Sequence, residues 1–222
     1  MSKDLHIQVF TFNAYQENTY LLYTDAGEAL VIDPGCYSAA EETRLNDFIT
    51  KKGLTLRYLV NTHGHIDHML GNRMVKTRYQ VPFLAHRLIR QELEAVPGYA
   101  PMMGMQVEPS PLPDQYLDAG DTLILGEHTF DIYFTPGHSP SHISLFHAES
   151  GNLFSGDVLF RGSIGRTDLP GGSMPVLMES IFTRLLPLGD AVTVWPGHGP
   201  ETTLGAEKRH NPFILEYQRL HP

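Results

Sequence analysis

The segment 62–68, THGHIDH, packs three histidines and an aspartate into a few consecutive positions, and that density points to metal chemistry. His63 and His65 are separated by one residue, so in an extended segment leaving a strand both rings project to the same side. Asp67 and His68 follow where the chain turns. One short stretch therefore offers two groups to one ion and two to a neighbouring ion. Three more candidates stand in FTPGHSPSH, LFSGDVLF and VWPGHGP, namely His138, Asp157 and His198. Each follows a strand-like run, and each is preceded by a glycine that lets the backbone turn sharply. Taken singly, each reads equally well as a turn residue satisfied by its own neighbours. Together the seven supply three histidines or carboxylates per metal with one carboxylate shared, leaving positions open for water. Twelve histidines against one cysteine favour nitrogen and oxygen ligands. The expected cofactor is two divalent metal ions, Zn first, with Fe or Mn also compatible with this donor set.

Such a pair of ions supports hydrolysis. A water between two cations falls from a pKa of 15.7 toward ~7, so hydroxide is available at neutral pH. A carbonyl oxygen on either metal is stabilised as charge develops on it. Asp67 is the candidate catalytic residue, its second oxygen orienting the hydroxide and receiving its proton. Asp33, in VIDPG, either orients a ligand histidine from behind or caps a turn. His142 and His147 fit a strand pattern and read as packing residues, with His142 also within reach of the site. Cys36 reads as a small buried residue. His6, His86, His128, His210 and His221 carry no functional reading.

The elements that must position these groups are legible from patterning. Residues 5–12, 18–24 and 28–33 are rich in Val, Ile, Leu, Tyr and Phe and read as short strands. Ser38 and Glu41 have the capping-box spacing, and Leu45, Phe48 and Ile49 mark one face of a helix that Gly53 stops. A strand at 55–61 runs into the histidine-rich segment, where a helix should start near Asp67. A further helix is expected around 86–95. Residues 96–113 hold too many prolines for regular structure and read as a long loop, bordering the site mouth or a subunit contact through Met102, Met103 and Met105. Strands return at 122–126, 128–135, 142–147, 152–155 and 191–195. Ser173 is placed to cap a helix carrying Leu177, Ile181 and Leu185, and helices are expected at 203–210 and 212–220. Strands grouped at both ends with helices between them suggest an α/β (α+β) fold, a four-layer αββα sandwich forming a single domain over 1–222.

Composition narrows the function classes. The chain has 222 residues, 41% hydrophobic, enough to bury a substantial core. Its formal net charge is -9 with no Lys/Arg-rich block, which argues against nucleic acid as a partner. No apolar run approaches the ~20 residues that cross a bilayer, and the N-terminus lacks a signal-peptide stretch. A soluble protein with no membrane partner is expected. The lone cysteine fits a reducing compartment, so cytoplasm is the expected location.

With the ordered set HxHxDH, GH, GD, GH in place, the sequence resembles the metallo-β-lactamase superfamily over essentially its whole length. Within it the chain is similar to the small bacterial glyoxalase II-like members, on FRGSIGRTDLPGG at 160–172 and the tail GHGPETTLGAEKRHNPF. The resemblance implies that His63, His65 and His138 hold one metal, that Asp67, His68 and His198 hold the other, and that Asp157 bridges them. It implies a thioesterase acting on S-2-hydroxyacylglutathione or a similar small-molecule thioester. It also places Arg166 on the loop where related thioesterases hold a substrate carboxylate with a basic residue, against the alternative of a loop salt bridge with Asp168. Two departures touch the glutathione end: Gly199-Pro200 stand where larger glyoxalase II enzymes have an aromatic residue, and their basic C-terminal extension is missing, leaving Lys208 and Arg209 as substitutes. The rival enzyme reading is an iron-dependent persulfide (sulfur) dioxygenase. True β-lactamases fit less well because they lack the aspartate of the SGD position, and a non-catalytic binding module would be expected to have lost ligands.

Overall fold

Described by a computed structural model over residues 4–221, the chain forms two six-stranded sheets packed face to face. The first half supplies β1 (Leu5–Phe12), β2 (Glu17–Thr24), β3 (Glu28–Ile32), α1 (Ala39–Lys51), β4 (Thr55–Val60), α2 (Ile66–Met69), α3 (Asn72–Tyr79), β5 (Phe83–Ala85), α4 (Ile89–Tyr99) and β6 (Gln115–Tyr116). Its sheet keeps sequence order, β1-β2-β3-β4-β5-β6. The second half supplies β7 (Thr122–Leu125), β8 (His128–Phe134), β9 (Ile143–His147), β10 (Asn152–Gly156), β11 (Leu159–Phe160), β12 (Ser163–Ile164), α5 (Met174–Ser180), β13 (Thr193–Pro196), β14 (Thr202–Thr203), α6 (Leu204–His210) and α7 (Pro212–Leu220). Its sheet has the order β14-β13-β10-β9-β8-β7, with β11 and β12 forming a separate hairpin.

Three apolar layers account for the stacking. Leu22, Leu30, Ile32 and Val60 of the first sheet meet Phe130, Ile132, Leu145 and Phe154 of the second. The alternate residues Leu21, Ala29, Val31 and Leu59 face outward onto Leu45 and Ile49 of α1, Val75 of α3, and Ile89, Leu93 and Val96 of α4. Beyond the second sheet, Leu153 and Val194 lie under Leu177, Met178, Leu204 and Ile214 of the C-terminal helices. Because both faces of β3 are covered, its sequence EALVI reads as a continuous apolar run rather than an alternation. The expected αββα order is therefore the observed one. Among the described residues no helix is long and apolar enough to cross a bilayer.

Several expected boundaries move. The helix expected at 86–95 begins at Ile89 and continues through Pro97 to Tyr99, followed by a 3-10 turn over Ala100–Met103 that closes at Gly104 with φ 73°. Only the rest of the expected 96–113 loop is irregular. A mid-helix proline costs about 3 kcal/mol, but Leu93, Val96 and Ala100 are all buried on one face, and their packing carries the helix past it. Ser173 takes the N-cap position of α5 without a side-chain cap bond, and Pro175 has no N–H to offer it. The short strands β5, β6, β11, β12 and β14 are too brief to show a period.

Strand direction is what gathers the candidate site. β3 and β4 are parallel, β10 and β13 are parallel, and β8 runs with β10 because β9 is antiparallel to both. Asp33, the 62–68 segment, His138, Asp157 and His198 all leave the C-terminal ends of these strands.

Candidate metal centre

The residues expected from the sequence converge. One donor atom each from His63, His65 and His138 lies within 4.8 Å of the others, and the same holds for Asp67, His68 and His198. Asp157 stands between the two groups: its Oδ2 is 3.4 Å from His138 Nε2 and 3.5 Å from His198 Nε2, and its Oδ1 is 3.5 Å from His68 Nε2. His63 and His68 are fully buried, and the His198 side chain is the most open of the imidazoles facing Asp157, at 27% exposure.

The partners of the far ring nitrogens decide which atoms face inward. His138 Nδ1 donates to the Arg166 carbonyl at 2.8 Å, and His198 Nδ1 donates to the Tyr15 carbonyl at 3.0 Å. His68 Nδ1 is 3.1 Å from the Asp33 carboxylate, which accepts. Each bond places the proton on Nδ1 and leaves Nε2 as a lone pair. His68 Nε2 and His198 Nε2 then point at each other across 3.3 Å. Two lone pairs at that distance repel unless a cation or an added proton lies between them. His63 Nε2, His138 Nε2 and Asp157 Oδ1 are also buried without a hydrogen-bond partner. Unpaired buried polar atoms are expensive, and a shared ligand resolves all of them at once. The donor set of imidazole nitrogens and carboxylate oxygens fits divalent cations.

Electrostatics separate the two groups. Burial pushes the His63 imidazole well below its usual range, with His68, His65 and His138 adding to the effect. Burial likewise lowers His65 to about 4 and lowers His138 against the opposing pull of Asp157. At His68 burial also favours the neutral ring, but Asp157 and Asp67 outweigh it and hold the imidazole well above its usual range. His198 is raised too, its burial overcome by the hydrogen bond to Asp67 and the charge of Asp157. Burial opposes ionisation of Asp157, yet the neighbouring His68, His138 and His198 hold its carboxyl far below the usual range.

Surrounding contacts fix the ligand loops. Asp33, with φ 48° and almost fully buried, accepts from the Thr62 amide at 2.7 Å as well as from His68 and Asn61. Of the two roles weighed for it, orientation of a histidine is the observed contact. His142 Nε2 accepts from the Asp157 amide at 3.0 Å while its Nδ1 meets Thr135 Oγ1, so this buried ring holds the Asp157 backbone. Gly156 has φ 47°, and a Cβ there would collide with His142. Gly197 is needed for a different reason than turning: a Cβ would enter the space of Asp157 Oδ1 and His68. Sequence reasoning missed two carboxylates. Glu92 of α4 accepts from the hydroxyls of Ser139, at 2.6 Å, and of Ser141, tying the His138 loop to the helix beneath Gly64. Glu17 is wholly buried behind Asp67, where burial pushes its carboxyl well up; Thr19 Oγ1 donates to Oε2, and Oε1 has no partner. Its only sequence signal is a charged residue immediately before a strand-like run.

The weaker expectations resolve unevenly. The Arg166 guanidinium forms a bidentate pair with Asp168 at 2.7 and 2.8 Å, both side chains exposed, so its contact with the centre runs through its backbone carbonyl. Cys36 is buried against Gly71, and burial pushes its thiol well up. Within 96–113, Met102 is exposed, while Tyr99 stands near Asp67 and Glu92 with its phenol raised to about 12, chiefly by burial. Lys208 and Arg209 pair with Asp190.

Comparison with known proteins follows this geometry. The family described as "Metallo-beta-lactamase superfamily" matches residues 13–198. The chain is 38% identical to "Hydroxyacylglutathione hydrolase GloC" of Haemophilus influenzae over 95% of its own length and 98% of that protein's. Among solved structures it is similar to the BLEG-1 B3 metallo-beta-lactamase, with TM-score 0.87 and 36% identity over 94% of this chain and 99% of that one. It is also similar to TTHA1623 in a di-iron-bound form, with TM-score 0.84 and 37% identity over 93% and 99% of the two chains.

Proposed function

The chain belongs to the metallo-beta-lactamase superfamily and is a metal-dependent hydrolase, and from that premise we propose that it is a thioesterase of the glyoxalase II type. Its substrate in this reading is S-2-hydroxyacylglutathione or a similar small-molecule thioester. The observation that carries the metal chemistry is the facing pair of ring nitrogens, His68 Nε2 and His198 Nε2, 3.3 Å apart with Asp157 beside both. The choice of a thioester is supported by the 38% identity to a hydroxyacylglutathione hydrolase over nearly the full length of both chains.

In this proposal His63, His65 and His138 hold one divalent ion, Asp67, His68 and His198 hold a second, and Asp157 serves both. Bound there, the ions supply Lewis acidity, acidifying a water and polarising the substrate carbonyl. Asp67, whose Oδ2 lies 3.1 Å from His198 Nε2, would share the second ion with that nitrogen and accept the proton of the attacking water on its other carboxylate oxygen. Asp33, Tyr15 and Arg166 keep the imidazole tautomers fixed through their oxygens. A thiol with a pKa of about 8.5 leaves readily as thiolate, so the leaving group needs no strong general acid. The Arg166 guanidinium can bind a substrate carboxylate only by exchanging Asp168 for it. Both partners are exposed, so that exchange costs little.

Steady-state kinetics of metal-loaded protein test the reading. The expected result is a kcat/KM of at least ~10⁴ M⁻¹s⁻¹ on S-2-hydroxyacylglutathione, well above that on a β-lactam and without oxygen uptake in the presence of a persulfide. Preferential β-lactam turnover, or oxygen consumption coupled to persulfide loss, would replace it with the corresponding rival.

A further inference from the structure

The second sheet carries histidines at both of its ends, and the centre around Asp157 uses only one. His128 opens β8 and His147 closes β9, its antiparallel neighbour, so both lie at the end of the sheet remote from His138. The seven residues of β8 put roughly 20 Å between the two ends, at about 3.3 Å per residue. Both rings are buried, at 3% and 2% exposure, and face each other with His128 Nδ1 3.2 Å from His147 Nε2. The turn that follows brings Glu149 to the same place: one donor atom from each of the three residues lies within 4.8 Å of the others.

We propose that His128, His147 and Glu149 form a separate site for one divalent transition-metal ion of the Zn²⁺ type, at the opposite end of the sandwich from the hydrolytic centre. Two nitrogens bound to one tetrahedral ion at 2.0–2.1 Å stand about 3.3 Å apart, close to the 3.2 Å observed. The remaining His147 nitrogen is already engaged, its Nδ1 lying 2.6 Å from Ser150 Oγ, which also accepts from Asn152 Nδ2 at 2.7 Å. Asn152 donates to Ser150 Oγ, whose second lone pair can accept from His147 Nδ1; in that tautomer Nε2 is bare toward His128, as ligand histidines are commonly oriented. A direct N–H···N bond between neutral rings would satisfy the same pair of nitrogens but gives Glu149 no part. The exposed Glu149 must be ordered on binding and water must complete the coordination, so the site is a modest one. It joins β8 to the β9–β10 turn, and occupancy should stabilise the fold rather than turn over substrate.

The test is a Zn²⁺ titration of the holoprotein in competition with a weak chelator, read by calorimetry and elemental analysis. The expected result is one equivalent beyond those held around Asp157, with micromolar affinity, accompanied by a rise in Tm. That equivalent should persist in Asp157→Ala. Glu149→Gln, an exposed change that should fold normally, should weaken it by roughly ten-fold or more, and His128→Phe should abolish it with thioesterase kcat unchanged. Should His128→Phe fail to fold, Glu149→Gln decides alone. Absence of the extra equivalent at roughly 100 µM free Zn²⁺, or its undiminished presence in Glu149→Gln, overturns the proposal.

Discussion

The two groups of donors at the hydrolytic centre are built on different terms. His63, His65 and His138 are all imidazoles, close-packed and lowered by burial, with no carboxylate among them; Asp157 reaches His138 at 3.4 Å, and Asp33 stands behind His63. Asp67, His68 and His198 include a carboxylate of their own, have Asp33 directly behind His68, and open to solvent through His198. The first group is thus a neutral pocket that borrows its charge, and the second is an acidic one that supplies it. In the proposed mechanism that difference gives them different work: the neutral group anchors an ion, and the acidic group handles protons at the solvent side.

The largest effect should come from Asp67. Asp67→Asn keeps the shape but removes the proton acceptor, so kcat should fall by roughly 10²–10⁴-fold while an ion is still held by the three imidazoles of the first group. A loss under ten-fold in steady-state assays would mean that the two groups share the proton work. Asp33→Asn should come next. It replaces an acceptor that fixes His68 with an amide able to donate in its place, so metal affinity should drop about 10- to 100-fold. Competition with a chelator should place most of that loss in the second group, where Asp33 meets the ligand ring directly; an equal loss at both would erase the comparison.

A smaller effect tests the support beneath the acidic group. Glu41 accepts from the amides of Asn13, Tyr37 and Ser38, and Asn13 Nδ2 in turn donates to the carbonyls of Gly35 and Asp67. Burial pushes the Glu41 carboxyl up, but these amide bonds outweigh it and leave it below its ordinary value. Its stabilisation is therefore complete above the ordinary carboxyl range and is lost as pH falls through the depressed value. Glu41→Ala should cost about 0.5–2 kcal/mol at neutral pH, measured by denaturant unfolding, and the gap from wild type should shrink as pH drops below about 4. A gap that widens on acidification would reverse the assignment. The smallest effect belongs to Arg166→Ala. Its guanidinium is exposed and already paired with Asp168, where solvent screens any charge contact, so KM should rise less than about ten-fold with kcat unchanged. A larger rise confined to carboxylated thioesters would show that the guanidinium leaves Asp168 for the substrate.

The legibility of the centre in the sequence follows the same division. Five candidates announce themselves through local spacing, four in the 62–68 segment and His138 in a PGH turn, because strand ends translate directly into side-chain direction. Asp157 and His198 are equally visible as GD and GH motifs, although Gly197 is required by close packing against Asp157 rather than by a turn. The contacts that fix the rings are not visible. The carbonyls of Tyr15 and Arg166 carry no residue signature, and the Glu92 clamp on Ser139 and Ser141 joins positions more than forty residues apart. Pairing between remote segments also hid β5 and β6, whose two or three residues have no period of their own. The His128–His147 pair escaped for the same reason, since the two are neighbours only once β8 and β9 are paired.

If one carboxylate, Asp157, unites a neutral and an acidic group into a single two-ion centre, elemental analysis of metal-loaded variants should show it. With the proposed remote site disabled by Glu149→Gln and weakly bound metal removed by dialysis, the background protein should hold two ions. His138→Ala and His198→Ala should each lose one, and Asp157→Ala should lose both, because the ions then repel without a shared charge between them. Full occupancy of two ions in Asp157→Ala would contradict the account.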